Sequence, residues 1–462
     1  MENADIKEIF EVSSKLTEDE KGLINKAYAF AKEAHKTQKR NSGEPYFNHL
    51  FATAKNIANL GMDGATIAAG FLHDVLEDTE TEAETIEKEF GKEIRFMVEG
   101  VTKIGNLRYH GSDRHNESLR KLLLATGEDI RVLIVKLCDR LHNMKTLEFV
   151  PKEKQERIAR ETLEIYAPIA YRLGIRKLSR ELEDLSFPYV DKKGYEEIIA
   201  LSKEGEKERL ESLDKFRKSV AKELAKSGFI DFRIDYRVKG TYSLYKKYLK
   251  IKKDFERIHD ILAMRITVKE PSDCYKLLGI IHANWKPLPG KIKDYIAFPK
   301  LNGYRSLHTT VFTGNGDIVE VQIRTEDMHR EAEYGVASHA VYKANEKEKR
   351  YIASWIKNVS TGNLDDIKKE LLNERIFVFT PKGDVVDLPI GASAIDFAYS
   401  IHSDIGDHLS GAKINNKMSS LETTLKNGDI VEILTSKNAK PKYKWLEYVK
   451  TALARRRIRN SN

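Results

Sequence analysis

The sequence predicts a multidomain protein in which an all-α region precedes an α/β region with a mixed sheet and a small α+β region. Three observations lead to this prediction. The chain has 462 residues, which is too long for one ordinary domain and suggests about three. Hydrophobic residues follow a helical period up to about residue 190 and an alternating, strand-like period from about residue 229. The texture changes again near Arg375, where short strand-like runs surround a turn.

The first region, residues 1–194, is predicted to be helical. KGLINKAYAFAKEAH, FNHLFATAKNIANL and EDIRVLIVKLCDRLHNMKTL repeat apolar residues at the spacing of one helix face. FLHDVLEDTE, residues 71–80, is also predicted to be one helix, so that His73 shares a stripe with Glu77 and Asp74 shares the neighbouring stripe with Asp78.

The remaining elements follow in order. Residues 195–228 are so rich in charge that we expect a helical connector. FIDFRIDYRV, ILAMRITV and DIVEVQIRT in residues 229–345 alternate like strands between helices. We expect a helical linker over 346–374 and a small domain over 375–437, with a hairpin around Lys-Gly-Asp and the helix SAIDFAYSIH. A basic tail, residues 438–462, ends the chain.

Composition narrows the class of protein. The chain is 41% hydrophobic and 32% charged, and its formal net charge of +8 favours a phosphate-rich ligand or nucleic acid. No apolar run approaches the ~18–20 residues that span a bilayer, and the acidic N-terminus lacks a signal-peptide core. The two cysteines, Cys138 and Cys274, cannot form a disulfide framework. We therefore expect a cytoplasmic protein with no membrane partner.

Residues 71–80 suggest half of a metal site. Like-charged carboxylates crowded on one helix face repel one another unless a cation or a substrate role compensates. Asp139 lies on an otherwise apolar helix, where an unpaired carboxylate is costly, and His49 offers a further nitrogen. His49, His73, Asp74 and Asp139 form a mixed set that suits Mn²⁺, Fe²⁺ or Zn²⁺ better than Ca²⁺. Each histidine taken alone is more often a helix-packing or capping residue.

A second site is predicted in the α/β region, where YRVKGTYSLYKKY runs from a strand through a basic loop into a helix. Its cations and hydroxyl could hold a triphosphate, although a solvated basic face gives the same pattern. Asp260 and Glu320, near the starts of later strands, are candidates for binding Mg²⁺ and for deprotonating an attacking hydroxyl. The candidate phosphate ligands are Arg237, Lys239, Ser243, Lys247 and Arg265.

A loop-rich stretch between these strands, KPLPGKIKDYIAFPKLNGYRSLHTTV, mixes cations with an aromatic side chain. Such a mixture fits a nucleotide, because charge meets the phosphates and a ring meets the base. An aromatic residue in a loop can also serve packing alone. The candidate nucleotide ligands in this stretch are Lys293, Lys300, Asn302, Tyr304 and His308.

Four stretches of the first region are KRNSGEPYFNH, HDVLEDT, VTKI and KLCDRLHNMKTL. They resemble the HD-type hydrolase domain of the RelA/SpoT homologues, which make and hydrolyse the alarmones ppGpp and pppGpp. The resemblance implies that His49, His73, Asp74 and Asp139 bind Mn²⁺. It implies that Glu77 and Asp78 position and deprotonate the attacking water, that Arg40 packs on guanine and that Asn143 lies near the ribose. Asn41 stands where the family usually has lysine.

Residues 229–345 resemble the nucleotidyltransferase-like synthetase domain of the same family, which moves pyrophosphate from ATP to the 3′-hydroxyl of GDP or GTP. This resemblance implies that Asp260 binds Mg²⁺, that Glu320 lies beside the attacking hydroxyl and that Tyr304 stacks on guanine. The phosphate ligands named above would face ATP. KIKD is similar to the basic variant of bifunctional members. Gly240 replaces the usual histidine, which is expected to weaken ATP binding, and Ala340 replaces a common tryptophan.

The third region, from RIFVFTPKGDVVDLP onward, resembles the TGS domain, a β-grasp module. That resemblance implies that it helps to sense uncharged tRNA on the ribosome, and that His402 meets the tRNA 3′ end. A buried or capping role for His402 is the alternative. Family members usually continue into further regulatory modules, so we expect either a truncated chain or a naturally short form.

The sequence leaves three hypotheses about the function open. The leading hypothesis is a bifunctional enzyme that synthesises and hydrolyses (p)ppGpp. The second is a hydrolase whose synthetase domain is weak or silent, because of Gly240, and acts as a regulatory module. The third is a tRNA- or ribosome-binding regulator with vestigial catalytic domains, which the complete set of candidate catalytic residues argues against.

Overall fold

The computed structural model of the chain describes residues 5–13, 15–105, 128–258, 260–300, 303–313, 317–337 and 375–460. Contacts divide the chain into two compact units. The first lies within Met1–Leu107 and Asp129–Lys349, and the second within Arg108–Glu128 and Arg350–Asn462. The helical region and the α/β region therefore share one unit. Among the described residues, no helix is both long and apolar enough to span a bilayer.

The N-terminal part of the first unit is helical, as predicted. Its longest early helix begins with a capping box in which Thr17 and Glu20 satisfy each other's backbone N–H groups. The helices are α1 Lys7–Val12, α2 Glu18–Ala34, α3 Phe47–Asn59, α4 Gly64–Leu72, α5 Val75–Asp78, α6 Ala83–Phe90, α7 Lys92–Gly105, α8 Ile130–Lys145, α9 Lys152–Glu161 and α10 Ala167–Arg172. A 3₁₀ turn, Leu147–Phe149, precedes α9, and a π-helical turn, Thr162–Tyr166, follows it.

The continuous helix predicted over residues 71–80 is wrong. Helix α4 ends at Leu72, His73 and Asp74 form a turn, and α5 is a single turn that begins at Val75. On a straight helix, neighbouring side chains point about 100° apart. The break instead brings His73 Nε2 within 3.2 Å of Asp74 Oδ2, so that both side chains reach one point.

Three further helices lead to the sheet: α11 Arg176–Val190, α12 Lys192–Lys203 and α13 Glu206–Lys226. Helix α11 packs against α8, α9 and α10 on one side and against helices of the α/β region on the other. The segment predicted as a connector is helical. Its helix α13 buries four apolar residues in the core of the sheet, namely Leu213, Phe216, Val220 and Leu224.

The α/β region is built on a five-stranded mixed sheet, as predicted. The strand order is β1-β2-β5-β4-β3, in which β2 and β5 are parallel and the other pairs antiparallel. The strands are β1 Phe232–Val238, β2 Leu262–Val268, β3 Lys293–Asp294, β4 Leu307–Phe312 and β5 Ile318–Thr325. Helices α14 Thr241–Lys250, α15 Pro271–Asn284 and α16 Glu326–Tyr334 accompany it.

The second unit is a small α+β fold. Hairpin β6–β7 turns at Gly383, whose φ of 86° favours glycine, and β10-β8-β9 form a three-stranded sheet. The elements are β6 Arg375–Phe379, β7 Val385–Pro389, α17 Ala394–Ile401, α18 Ser403–Asp407, β8 Leu409–Ile414, β9 Lys417–Ser419, β10 Val431–Thr435 and α19 Ala452–Asn460. The basic tail is folded: buried Asp396 accepts hydrogen bonds from the backbone N–H groups of Lys450 and Thr451.

Candidate functional site

Four side chains from α3, the α4–α5 turn and α8 converge in the helical region. His49 Nε2 lies 3.4 Å from Asp74 Oδ2 and 3.3 Å from Asp139 Oδ1, and His73 Nε2 lies 3.2 Å and 3.8 Å from the same oxygens. Both histidines are buried. The sequence predicted these four residues as one metal-binding set, and the fold brings them together.

The buried nitrogen of His73 supports a metal site here. His73 Nδ1 donates to the carbonyl of Gly70 at 2.9 Å, whereas its buried Nε2 makes no hydrogen bond of good geometry to any described residue and faces the carboxylates of Asp74 and Asp139. Once it has released its proton, a nitrogen that faces two carboxylates is a normal metal ligand, with the other ring nitrogen fixed by a backbone carbonyl. The donor set of two imidazoles and two carboxylates fits a divalent transition metal.

Electrostatics in this cluster favour ionised carboxylates. Although burial alone would raise it, the neighbouring Lys136 and two imidazoles hold the pKa of Asp139 well below its usual range. Lys136 Nζ lies 2.8 Å from Asp139 Oδ2. Burial alone would lower the pKa of His73, but Asp74 and Asp139 raise it to about 10. A proton and a metal ion would therefore compete for the same nitrogen of His73.

The two further carboxylates of this region, Glu77 and Asp78, are both exposed but differ in their contacts. Partial desolvation, together with the negative charge of Asp74, raises the pKa of Glu77. Asp78 is exposed and accepts a hydrogen bond from Tyr46 Oη at 2.7 Å, and the same hydroxyl lies 2.8 Å from Asp74 Oδ2. Tyr46, which the sequence did not single out, thus ties Asp78 to the predicted metal ligands.

Arg40 and Asn143, the predicted nucleotide contacts, lie against the metal cluster. Arg40 occupies a tight turn in which its N–H donates to the carbonyl of Glu44. Its Nη2 donates to Asn143 Oδ1 at 2.7 Å, and Asn143 Nδ2 donates to Asp139 Oδ1 at 2.6 Å. His142, also missed from sequence, lies 3.0 Å from Arg40 Nη1. Burial, with the charges of His49 and Arg40, lowers the pKa of His142 to about 3.

A cavity of about 570 Å³ opens between α11 and the sheet. Its walls carry many cations and few carboxylates, which suits a polyphosphate. The lining residues with charged or titratable side chains are Lys177, Arg180, Asp184, Arg237, Lys239, Arg265, His329, Glu333 and two tyrosines, Tyr236 and Tyr334. Three of the predicted ATP ligands lie there, whereas Lys177 and Arg180 come from a helix that the sequence did not associate with this site.

Four of the five predicted phosphate ligands contact carboxylates. Lys239 and Lys247 each place Nζ 2.6 Å from one oxygen of Asp260, the predicted Mg²⁺ ligand. Ser243 Oγ donates to Glu183 Oε2 at 3.2 Å. The remaining predicted ligand on β2 is held in the same way, since Arg265 Nη1 lies 3.5 Å from Glu333 Oε1.

Glu320 and Tyr304 meet through His308. Tyr304 Oη lies 2.7 Å from His308 Nε2, and His308 Nδ1 lies 3.3 Å from Glu320 Oε1. Although burial would raise it, His308 and Gln322 lower the pKa of Glu320 to about 2. The guanidinium of Arg176 covers the Tyr304 ring at 4.1 Å from its centroid.

Two further predicted residues of this region are cations. The side chain of Lys300 lies over Tyr295 at 4.6 Å and over Tyr304 at 5.6 Å. Burial, with the nearby charges of Arg176 and Lys293, lowers the pKa of Lys300 to about 8. Lys293 is exposed on β3, opposite His308 on β4. Asn302 lies outside the described residues, as does Ala340.

Other predicted positions can be located individually. A Cβ atom on Gly240 would lie 2.8 Å from Arg180 Cγ and 2.9 Å from Asp184 Oδ2, so helix α11 fills the space of a side chain there. Asn41 is exposed. His402 is exposed in the second unit, where its Nδ1 accepts from the N–H of Asp404 and caps α18.

Family models match three successive regions of the chain. Residues 27–176 match the HD domain, residues 236–347 match the region found in RelA/SpoT proteins, and residues 376–435 match the TGS domain. The first match contains all four residues of the metal cluster. The second contains both carboxylates of the sheet site.

Curated relatives match nearly the whole chain. The guanosine-3′,5′-bis(diphosphate) 3′-pyrophosphohydrolase of Aquifex aeolicus is 47% identical over 447 residues, covering 94% of this chain and 64% of the relative. The protein of the same name in Borreliella burgdorferi is 46% identical, covering 96% and 68%. The bifunctional (p)ppGpp synthase/hydrolase SpoT of Escherichia coli is 40% identical, covering 97% and 66%. The chain thus spans about two thirds of the length of these relatives.

Proposed function

The chain belongs to the RelA/SpoT family, and from that premise we propose that it is a bifunctional alarmone enzyme. It transfers pyrophosphate from ATP to the 3′-hydroxyl of GDP or GTP, and it hydrolyses (p)ppGpp to GDP or GTP and pyrophosphate. The observation that carries the proposal is the convergence of His49, His73, Asp74 and Asp139 on one buried point, in the same compact unit as a cation-lined cavity.

For hydrolysis, we assign the metal-binding role to the two histidines and two aspartates of the helical cluster. The bound ion, which we propose to be Mn²⁺, would act as a Lewis acid on the phosphate and on water. Glu77 would accept the proton of the attacking water, because its raised pKa brings a carboxylate closer to the pH at which it operates. Asp78 would orient that water together with Tyr46. Arg40 and Asn143 would contact the guanosine.

For synthesis, the cation-lined cavity would take the triphosphate of ATP, and Tyr304 would stack on the guanine of the acceptor. Arg237 on β1 and Glu320 on β5 both lie opposite Ala263 on β2, so the two side chains share one level of the sheet. Glu320 is ionised at neutral pH and would hold the attacking hydroxyl. Asp260 offers the oxygen donors that Mg²⁺ prefers, once Lys239 and Lys247 turn to the phosphates.

Two incubations of the purified chain test the proposal directly. With ATP and GDP in Mg²⁺, we expect ppGpp; with ppGpp in Mn²⁺, we expect GDP and pyrophosphate. After rigorous chelation, Mg²⁺ alone should restore little hydrolysis, because imidazole ligands prefer softer ions. Hydrolysis that survives chelation would contradict the metal assignment. Absence of both products would contradict the proposed function.

A hydrolase with a weak synthetase is the second candidate, and two observations favour it. Arg176 covers the Tyr304 ring, and carboxylates engage Ser243 and Arg265. A normal hydrolytic rate with synthesis near background would support this candidate over the first.

For the second unit, we propose that it contacts the ribosome and uncharged tRNA. Its match to the TGS domain and the exposure of His402 support this role. The test is binding of uncharged tRNA to the wild-type chain and to His402→Ala, with His408→Ala as a control for an exposed histidine of the same unit. Equal binding by all three chains would contradict a role for His402.

A further inference from the structure

His142 joins a nucleotide-facing cation to a metal ligand. His49 Nδ1 and His142 Nδ1 lie 2.9 Å apart, and Arg40 Nη1 lies 3.0 Å from the same nitrogen of His142. His142 belongs to α8, whereas His49 belongs to α3 and Arg40 to the preceding turn. One ring nitrogen therefore meets two groups from a different part of the chain.

The protonation of these rings follows from the donors present. A guanidinium only donates hydrogen bonds, so the Nδ1 of His142 that it meets must be the unprotonated nitrogen. His49 Nδ1, which faces that same lone pair, must then carry the hydrogen. Two unprotonated nitrogens at 2.9 Å would repel each other, and a proton on His142 Nδ1 would point at the cation.

The consequence reaches the metal cluster. With its hydrogen on Nδ1, a neutral His49 has its lone pair on Nε2, the nitrogen that lies within 3.4 Å of both Asp74 and Asp139. The other histidine ligand is fixed differently, because His73 Nδ1 donates to the carbonyl of Gly70. The carbonyl of Gly70 can only accept a hydrogen bond. His142 accepts one at Nδ1 because Arg40, which can only donate, lies against that nitrogen.

We propose that His142 is a positioning residue of the hydrolytic site, which fixes the tautomer of His49 for the metal ion and is itself fixed by Arg40. This inference rests on the proposed metal-dependent hydrolysis and deepens it. The guanosine-binding residue and a metal ligand share one hydrogen-bond acceptor, so loss of that acceptor weakens metal binding even when no nucleotide is present.

The test is Mn²⁺ binding by the full chain without nucleotide, followed by the electron paramagnetic resonance signal of free Mn²⁺. His142→Phe keeps the ring but removes the acceptor, and we expect its Mn²⁺ dissociation constant to rise about 10- to 100-fold. His142→Asn restores an acceptor oxygen near the position of Nδ1 and should bind Mn²⁺ close to wild type. His408→Phe makes the same change at an exposed histidine of the second unit and should have no effect.

Circular dichroism shows whether each variant is folded. Unchanged Mn²⁺ binding in folded His142→Phe would overturn the inference while the wild-type hydrolase stands. A wild-type chain that binds no Mn²⁺ would overturn the proposed function and the inference with it. Arg40→Met should also weaken Mn²⁺ binding without nucleotide, and unchanged binding would overturn the part that concerns Arg40. Weak binding by both His142→Phe and His142→Asn would overturn the acceptor role.

Discussion

The two candidate sites of the first unit differ in how their charges are arranged. In the helical site, two imidazoles and two carboxylates face one another within 3.8 Å. In the sheet site, each candidate phosphate ligand on α14 or β2 is paired with a carboxylate, for example Lys247 with Asp260. The first arrangement gathers several metal-ligand atoms at one point, with one of its carboxylates, Asp139, also paired with Lys136. In the second arrangement, the candidate phosphate ligands are already engaged by carboxylates.

This difference indicates how each site meets its ligand. A metal ion that entered the proposed helical site would displace a proton from His73, whereas Asp74 and Asp139 are already ionised. A nucleotide that entered the proposed sheet site would exchange internal ion pairs for pairs with phosphate. Binding there is therefore expected to depend on residues such as Glu183, which belong to the helical region and compete with the ligand.

The largest expected effect tests whether the two arrangements are separate chemistries. Asp74→Ala removes a carboxylate from the metal cluster, so hydrolysis should fall to background while synthesis continues and ppGpp accumulates. Glu320→Gln should lower synthesis about 10²–10⁴-fold, the range for loss of a group that handles a proton, and leave hydrolysis intact. Both activities are measured on each variant. Loss of both activities in either single variant would contradict the assignment of two separate active sites.

A smaller effect is expected at the guanine-binding end of the sheet site. Tyr304→Ala should raise the KM for GDP about 5- to 150-fold, because one base stack contributes about 1–3 kcal/mol. The KM for ATP should change far less, since the proposed triphosphate ligands lie on other elements. Initial rates with each nucleotide varied separately give the two constants. An equal rise in both would indicate a packing role for Tyr304.

The pH dependence of synthesis tests the role of Lys300, whose ammonium lies near other cations. The pKa of Lys300 is lowered to about 8, so its ammonium is present below that pH and is lost above it. The value of kcat/KM for GDP should therefore fall above pH about 8, by at most about tenfold per unit. Lys300→Arg keeps the charge and should flatten this decline. A decline of the same size in both chains would exclude Lys300 as its cause.

The smallest expected effect concerns the carboxylate that engages Ser243 and Lys246. Glu183→Gln removes a negative charge beside the phosphate cavity, and the KM for ATP should fall about two- to fivefold, as for a partly exposed charge pair of up to about 1 kcal/mol. Glu181→Gln on the same helix is the control, because Glu181 pairs with Lys145 instead. A rise in KM with Glu183→Gln would mean that the carboxylate holds the site open rather than competing.

The helices and the four candidate metal-binding residues could be predicted from the sequence because their signals are local. Apolar periodicity marked α2, α3 and α8, and the His-Asp pair with an upstream histidine and a downstream aspartate marked the cluster. The break at His73 escaped because nothing in FLHDVLEDTE stops a helix; tertiary contacts with His49 and Asp139 decide it.

Other residues of the sites were not predicted because they are distant in sequence from the residues that they contact. Arg180 and Glu183 lie in RKLSRELEDL, a charge pattern typical of a solvated helix face, and only the fold brings them to α14. His142 adjoins the predicted Asn143 and follows Asp139 by three residues, about one helical turn. A search of α8 for every group beside the proposed ligands would have found it.

The position of helix α11 has a consequence for how the protein unfolds. Its Phe187 packs against the rings of Tyr195, Tyr242 and Tyr245, while the same helix contacts α8, α9 and α10. A fragment ending at residue 194 would leave that aromatic face uncovered, and the complementary fragment would lose its support. The two catalytic regions are therefore expected to melt together, in a single cooperative transition. Heat should end synthesis and hydrolysis at the same temperature, although their active sites share no residue.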